Sequence, residues 1–376
     1  MRITFVCASL DLSGGARIIS TYAKMLADHG HHVTVVAPLP DPLPLRKRLR
    51  SLWDTGRWDP HYGTRSHFDG LGLDIRRTRR APVLEAEVPD ADVIIATWWE
   101  TAEWANAFSA KKGTKVYLVQ GHEVFDFLPV ERSRATYHMP FFKIVVSGWL
   151  QRIMADEYGD HHTALVPNSI DHSMFDARPR EKQPVPTVGF MYAIGGIKGA
   201  DVALDAIKRL RAALPALRVI SFGTHTPVGI DGFEGIEFSR LPSVQELQTA
   251  YASCDVWLCP GRSEGFGLPA MEAMGCRTPV VSTRVGWPLD AIRDGSNGYL
   301  VPAGDGEAMF EAALKCLTLE PQAWKQMSES AQQTAHAYTW DKSYVAFAAA
   351  LEQAVARDGK AAVSAPPPAA MRAGSG

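Results

Sequence analysis

The chain has few cysteines, no strong excess of either charge and no long apolar run. Each shortage removes a class of function. Its five cysteines (Cys7, Cys254, Cys259, Cys276 and Cys316) are odd in number and far apart, and no two form C-x2-C. A disulfide framework or a zinc site needs closer, paired spacing, so buried thiols in a reducing compartment are expected, with no metal. The formal net charge is −2, from 39 Lys+Arg against 41 Asp+Glu. A dedicated nucleic-acid binder is far more basic, so no nucleic-acid partner is expected. The longest apolar runs, such as VIIA and VYLV, fall far short of the ~20 residues that span a bilayer. The opening MRITFVCASL lacks an apolar h-region and a small-residue cleavage site, which points to a cytoplasmic protein.

What remains is an ordinary globular mixture. The 376 residues, 46% hydrophobic and 21% charged, suffice for two separate cores. RITFVCA (2–8) reads as a buried strand. It is followed by LDLSGG, a helical pattern through Ile18, Ile19, Tyr22, Met25 and Leu26, Gly30, and the strand HVTVVAP. Strand, glycine turn, helix, strand is a βαβ unit feeding a parallel sheet. DVIIAT, KVYLVQG and KIVVS continue it.

A second series begins with PTVGFMYA (186–193) and runs through GADVALDAIKRLRAAL, LRVISFG, SVQELQTAYASC, DVWLCP and TPVVSTRVG. Between the two lies the polar, proline-rich RPREKQPVP. The expected fold class is α/β, with two Rossmann-like, doubly wound domains over 1–172 and 186–340. A helix over 341–357 and a low-complexity, disordered tail over 358–376 follow. An NAD-dependent oxidoreductase is disfavoured. The first glycine turn is Ser13-Gly14-Gly15-Ala16 rather than G-x-G-x-x-G, and HVTVVAP ends without an acidic residue.

The densest signal is PGRSEGFGLPAMEAMGCRTPVVSTRVG. Glu264 and Glu272 lie eight apart, with Gly261, Gly265 and Gly267 after a strand and Pro269 at the start of a helix. A glycine turn entering a helix N-terminus binds phosphate through free N–H groups and the helix dipole. Two carboxylates there could hold sugar hydroxyls. A plain strand–turn–helix with a capping carboxylate fits the same residues.

EGFGLPAMEAMGCRTPVV resembles the E-x7-E signature of retaining glycosyltransferases of family 4, which have the GT-B fold. Other segments agree in order. GGARIISTYAKMLADHGHHVTVVAP is similar to the family's opening glycine loop. VPNSID is similar to its PNGID segment with Ser169 for Gly, and IKGADVALDAI to its KG helix start. VGWPLDAIRDGSNGYLVPAGD resembles GGxxExxxxGxNGxLVxxxD, with Trp287 for the second Gly and Asp290 for Glu. TWWETAEWA and YLVQGHE are also similar to bacterial members that build surface polysaccharides.

The resemblance implies two domains facing across a cleft. The first binds a glycan or lipid-linked acceptor, the second binds a nucleotide diphosphate sugar donor, and the C-terminal helix packs back on the first. It implies a retaining, front-face transfer with no metal and no cofactor. Lys198 would stabilise the leaving diphosphate, with Gly14 and Gly15 adding N–H groups from the other domain. Glu264 would hold the transferred sugar and Glu272 the ribose, while the backbone at Gly265, Phe266, Gly267 and Leu268 meets phosphate or sugar. His122 would lie over the sugar, although the register also allows Gly121 at that point. Glu123, Asp126 and Trp98 would lie on the acceptor side.

One departure concerns charge. Family members commonly carry an arginine five or six residues before the lysine. Here those positions are Tyr192 and Ala193, and no arginine lies between Arg180 and Arg209. Either Lys198 acts with Arg262 or another cation, or the phosphate grip differs; the departure also leaves room for a catalytically impaired nucleotide- or glycan-binding module.

One stretch stands apart from both series. In PLPLRKRLRSLWDTGRW the cations Arg46, Lys47, Arg48 and Arg50 are mixed with leucines and Trp53; Arg76, Arg77, Arg79 and Arg80 follow. Such a segment suits peripheral docking on an anionic inner membrane face, or a solvated basic loop. Nothing in the sequence marks an oligomeric state.

Overall fold

The computed structural model describes residues 1–40 and 65–364. Arg46, Lys47, Arg48, Arg50 and Trp53, the core of the expected membrane segment, lie outside the described residues.

The first series forms β1 (Arg2–Val6), α1 (Gly14–Asp28), β2 (His32–Pro38), β3 (Asp74–Thr78), β4 (Val93–Ala96), α2 (Trp99–Asn106), β5 (Thr114–Val119), α3 (Val130–Tyr137), β6 (Phe142–Val145), α4 (Gly148–Tyr158) and β7 (Ala164–Leu165). Among the described residues the strands make a seven-stranded sheet in the order β3-β2-β1-β4-β5-β6-β7. Its central strands are buried along their length, as VIIA in β4 shows. Continuous apolar runs of this kind are what a sheet covered on both faces requires.

Ser13 caps α1, its hydroxyl accepting from the Ala16 N–H at 3.2 Å. Gly30 follows the helix at φ +84°, a conformation that favours glycine. β3 was not foreseen in the sequence. It places Arg76 and Arg77, both exposed, in an edge strand, with Arg76 paired with Asp74 at 3.1 Å.

The second series forms β8 (Thr187–Tyr192), α5 (Ala200–Ala213), β9 (Arg218–Gly223), β10 (Glu237–Arg240), α6 (Val244–Ala252), β11 (Val256–Cys259), α7 (Leu268–Gly275), β12 (Val280–Thr283), α8 (Gly286–Ala291), β13 (Gly298–Val301), α9 (Gly306–Thr318), α10 (Pro321–His336) and α11 (Trp340–Ser364). The sheet order is β10-β9-β8-β11-β12-β13. That is the doubly wound order, with its reversal between β8 and β11. Val188, Phe190, Ile207, Leu210, Val256, Leu258, Val281 and Met309 are among the buried residues of its core. The α/β class with two Rossmann-like sheets is therefore the fold of the chain.

Two details differ from expectation. The last helix continues to Ser364, so residues 358–364 are helical rather than tail. It packs back on the first series, where Phe347 stacks on Tyr22 of α1 with ring centroids 4.3 Å apart.

The division into compact units also differs. The described residues of Met1–Tyr117, Met139–Phe142 and the chain from Phe347 onward form one unit. Leu118–His138 and Lys143–Ala346 form the other. Residues 118–138 and 143–172, expected in the N-terminal domain, thus group with the second unit. Within that unit Ser147 Oγ donates to Gly265 O at 2.7 Å, and Gly148 N donates to Asp290 Oδ2 at 2.6 Å.

All five cysteines are free, and every one except Cys259 is fully buried. Burial pushes the Cys7, Cys276 and Cys316 thiols up to about 12. Among the described residues no group of three or more His, Cys, Asp or Glu side chains is arranged to hold a metal, and no helix is long and apolar enough to cross a membrane.

Candidate active site

In a doubly wound sheet, ligands bind beyond the carboxyl ends of the strands where the order reverses. In the second unit that point lies between β8 and β11. The loop after β8 runs through Gly195 (φ +98°) and a short 3-10 turn, Gly196–Lys198, into α5. The loop after β11 runs from Pro260 to Gly267 (φ +91°) and opens α7. The two loops touch closely. A Cβ on Gly199 would fall 2.0 Å from Pro260 O, so only glycine allows this approach.

Lys198 and Glu264 meet across these loops. The Lys198 Nζ donates to Glu264 Oε1 at 2.7 Å and Oε2 at 2.8 Å, with the two side chains 39% and 22% exposed. A half-buried cation and a carboxylate therefore stand together at the sheet's ligand-binding edge, reachable from solvent. The α7 N-terminus lies in the same loop, and Pro269 sits in its first turn. Pro269 has no N–H and the Ala270 N–H donates to Gly267 O at 3.0 Å, which leaves the Gly267 and Leu268 amides as the donors without an intrahelical acceptor at this helix start.

Glu272, one turn into α7, is 5% exposed. Its Oε2 accepts the hydroxyl of the fully buried Tyr251 of α6 at 2.9 Å. Burial first, and then the Glu272 carboxylate, push the Tyr251 phenol well above its ordinary range, so it stays a donor. Tyr251 was missed in the sequence, where it reads as one more apolar position of an amphipathic helix.

Phe266 and Gly265, expected on the donor side, are packed closely by their neighbours. Phe266 is buried; its ring stacks on Trp287 with centroids 5.8 Å apart, and its carbonyl accepts the Trp287 N–H at 2.8 Å. Gly286, at φ +63°, packs beneath, where a Cβ would lie 2.6 Å from Phe266 O. A Cβ on Gly265 would lie 1.6 Å from Gln120 O and 2.9 Å from the Gly121 Cα. It is thus the backbone of Gln120–Gly121 that abuts the Glu264 loop.

Arg262, expected on the phosphates, is paired within the protein. Its guanidinium is held by Asp201, Nη1 to Oδ1 at 2.8 Å and Nη2 to Oδ2 at 2.6 Å, while Nη1 also donates to Gly196 O at 2.6 Å. The fork is engaged by protein acceptors, which explains why it does not stand open beside Lys198.

His122 is likewise engaged. Its Nε2 is 2.7 Å from the Tyr158 hydroxyl, and its ring packs on Tyr137 and Tyr158 with centroids 5.6 and 5.7 Å away. Burial, opposed by Glu157, holds the imidazole below its ordinary range. Glu123, expected on an acceptor surface, is 3% exposed and lies inside its loop. Its N–H donates to the Tyr137 hydroxyl at 2.8 Å, and its carbonyl accepts from Ser133 Oγ at 2.6 Å. Asp126 is exposed. Asp290, which replaces the glutamate of the motif, accepts from the α4 N-terminus at Gly148 and from Arg152 Nη2 at 3.2 Å.

Gly14, Gly15 and Trp98 belong to the first unit. Gly14 and Gly15 are the first residues of α1, where amides lack intrahelical partners. Trp98 is the half-buried cap residue of α2, its N–H donating to Thr101 Oγ1 at 2.9 Å.

Comparison with known proteins bears on the family and the fold. The family model described as Glycosyltransferase Family 4 matches residues 12–174, and the one described as Glycosyl transferases group 1 matches residues 185–318. A D-inositol 3-phosphate glycosyltransferase of Geodermatophilus obscurus is 29% identical over 56% of this chain and 53% of its own length. One of Streptomyces bingchenggensis is 34% identical over 46% of this chain and 33% of its own length. The chain thus spans about half the length, or less, of these curated relatives.

Among solved structures, Anabaena HepE in complex with UDP-glucose superposes with a TM-score of 0.67 at 17% identity, covering 96% of this chain and 100% of that one. S. aureus TarM, as a mutant in complex with Fondaparinux, alpha-GlcNAc-glycerol and UDP, gives a TM-score of 0.70 at 11% identity over 93% and 100%. These likenesses bear on the fold. With one glycosyltransferase family model on each sheet-forming half, and two Rossmann-like sheets that fit the GT-B fold, the chain belongs to the family 4-like glycosyltransferases.

Proposed function

We propose that the chain is a retaining glycosyltransferase. It moves a sugar from a nucleotide diphosphate sugar to a hydroxyl of a glycan, lipid-linked or small-molecule acceptor without a metal. The observation that carries this reading is the Lys198–Glu264 pair at the β8/β11 reversal, beside the α7 N-terminus. That UDP-glucose is the ligand of HepE, and UDP one of those of TarM, supports a nucleotide sugar donor here as well.

In this reading the diphosphate lies against Lys198 Nζ and the first N–H groups of α7, where cation and helix dipole stabilise its growing charge. Glu264 accepts hydroxyls of the sugar, and Glu272, oriented by Tyr251, accepts those of the ribose. The acceptor oxygen forms its bond to the anomeric carbon on the face the diphosphate leaves. The bond to the phosphate oxygen breaks with its electron pair, and that oxygen takes the acceptor's proton. Configuration is retained without a protein nucleophile, so a paired acid and base are not needed.

The competing reading is a nucleotide- or glycan-binding module, favoured by the engagement of Arg262 with Asp201. Thermal melting with UDP, GDP, dTDP and ADP, followed by donor hydrolysis and transfer assays, tests both. Stabilisation by one nucleotide with turnover supports the transferase. Tight binding with no turnover on water or any acceptor supports the module.

A further inference from the structure

The loop that carries Lys198 is fastened to the loop that carries Glu264, and Arg262 makes most of the fastening. Its backbone N–H donates to Ile197 O at 2.7 Å. Its Nη1 donates to Gly196 O at 2.6 Å, and its fork takes both oxygens of Asp201 in the first turn of α5. Behind it, Gly261 O is held by the Thr283 hydroxyl at 2.5 Å, and Gly199 presses on Pro260 O. Arg262 therefore grips the turn just before Lys198 and the helix just after it. A turn of this kind, with two glycines before the lysine and Gly199 in the left-handed region after it, has little stiffness of its own.

We infer that Arg262 is a positioning residue. Together with Asp201 it latches the Gly196–Lys198 turn, so that the Lys198 ammonium is set against Glu264 and the donor diphosphate, and it does not itself bind phosphate. The inference rests on the proposed donor site for its ligand, but the latch belongs to the unliganded protein and can be read there.

The planar fork is what spans a carboxylate and a carbonyl at once, a task a lysine cannot repeat. The pair is largely exposed, with side chains 38% and 64% accessible, so it adds little to global stability. Its effect is local order.

The test uses full-length Arg262→Ala, Arg262→Lys, Asp201→Ala and the Arg262→Ala/Asp201→Ala double variant, with melting temperatures to verify folding. Hydrogen exchange of the unliganded proteins is measured over residues 195–200. Titrations with UDP, GDP, dTDP and ADP give affinities.

A latch makes all three single variants exchange faster in this segment alone. Each weakens nucleotide binding by about tenfold, the size expected when a binding group is misplaced rather than removed. The double variant is no worse than the singles, because they break one device. Unchanged exchange in Arg262→Ala overturns the latch, whatever the nucleotides do. If Asp201→Ala leaves nucleotide affinity unchanged or tighter, and Arg262→Lys rescues Arg262→Ala, Arg262 is a phosphate ligand and the inference is wrong. If no nucleotide binds the parent protein, the donor-site reading fails, while the exchange result still decides the latch.

Discussion

The hydroxyl of Tyr251, buried between α6 and α7, donates to Glu272 Oε2 at 2.9 Å. Tyr251→Phe keeps the ring and removes the donor. A carboxylate that is 5% exposed then loses a partner, at a cost of about 1–3 kcal/mol. The variant is expected to melt lower and to bind nucleotide more weakly, with turnover at saturating donor less affected. Calorimetric titration beside thermal melting checks this. Unchanged affinity would mean that Glu272 does not meet the ribose.

Glu264→Gln keeps the shape of the side chain but removes the charge paired with Lys198. Turnover is expected to fall by about 100-fold or more, as when an aimed polar group is lost from a reacting centre. Affinity for the nucleotide changes little. Lys198→Ala is expected to reduce both. Because the pair is partly exposed, neither variant should shift the melting temperature much. Steady-state kinetics against donor concentration separates the two effects.

Gly265→Ala tests the contact with Gln120. The new methyl would stand 1.6 Å from a backbone oxygen that has no flexible end to move aside. The expected loss is about 3 kcal/mol, the upper range for overpacking. Gly196→Ala, which meets nothing within 4 Å, serves as the control, expected within about 0.5 kcal/mol of the parent. Denaturant midpoints measure both.

Asp290 accepts the N–H that opens α4 and also pairs with Arg152. Asp290→Ala should lower stability by about 1 kcal/mol, as for other lost N-terminal caps. Asp290→Asn, which can still accept, should lose less. Thermal melting of the two variants gives the order.

His122 sets a pH dependence. Burial holds its imidazole below its ordinary value, so the folded protein binds this proton less readily than the unfolded chain. Its contribution to stability is therefore complete above about pH 6.5 and is lost as pH falls below that value toward the folded one. Urea midpoints near pH 7.5 and pH 5.5, compared between the parent and His122→Gln, should show the larger acid loss in the parent. Equal losses would place the titration on other groups.

The sequence by itself determined the two parallel sheets, because strands covered on both faces must be written as apolar runs and glycine turns must precede their helices. It also determined which loops carry Lys198 and Glu264, and the helix that carries Glu272, since glycine spacing after a strand is a local requirement of the turn.

Other features are decided by partners distant in the chain. Arg262 looked like a phosphate cation until Asp201, 61 residues away, was seen to hold it. Tyr251 looked like core until the fold set it on Glu272. The edge strand β3 was hidden because an edge strand need not be apolar; its sequence is DIRRT. Ser147, Gly148 and Gln120 meet Gly265 and Asp290, contacts more than 100 residues apart in sequence that no local pattern announces. Local chemistry specifies turns, caps and strands, whereas the charge a site offers its ligand depends on which side chains the tertiary fold has already paired.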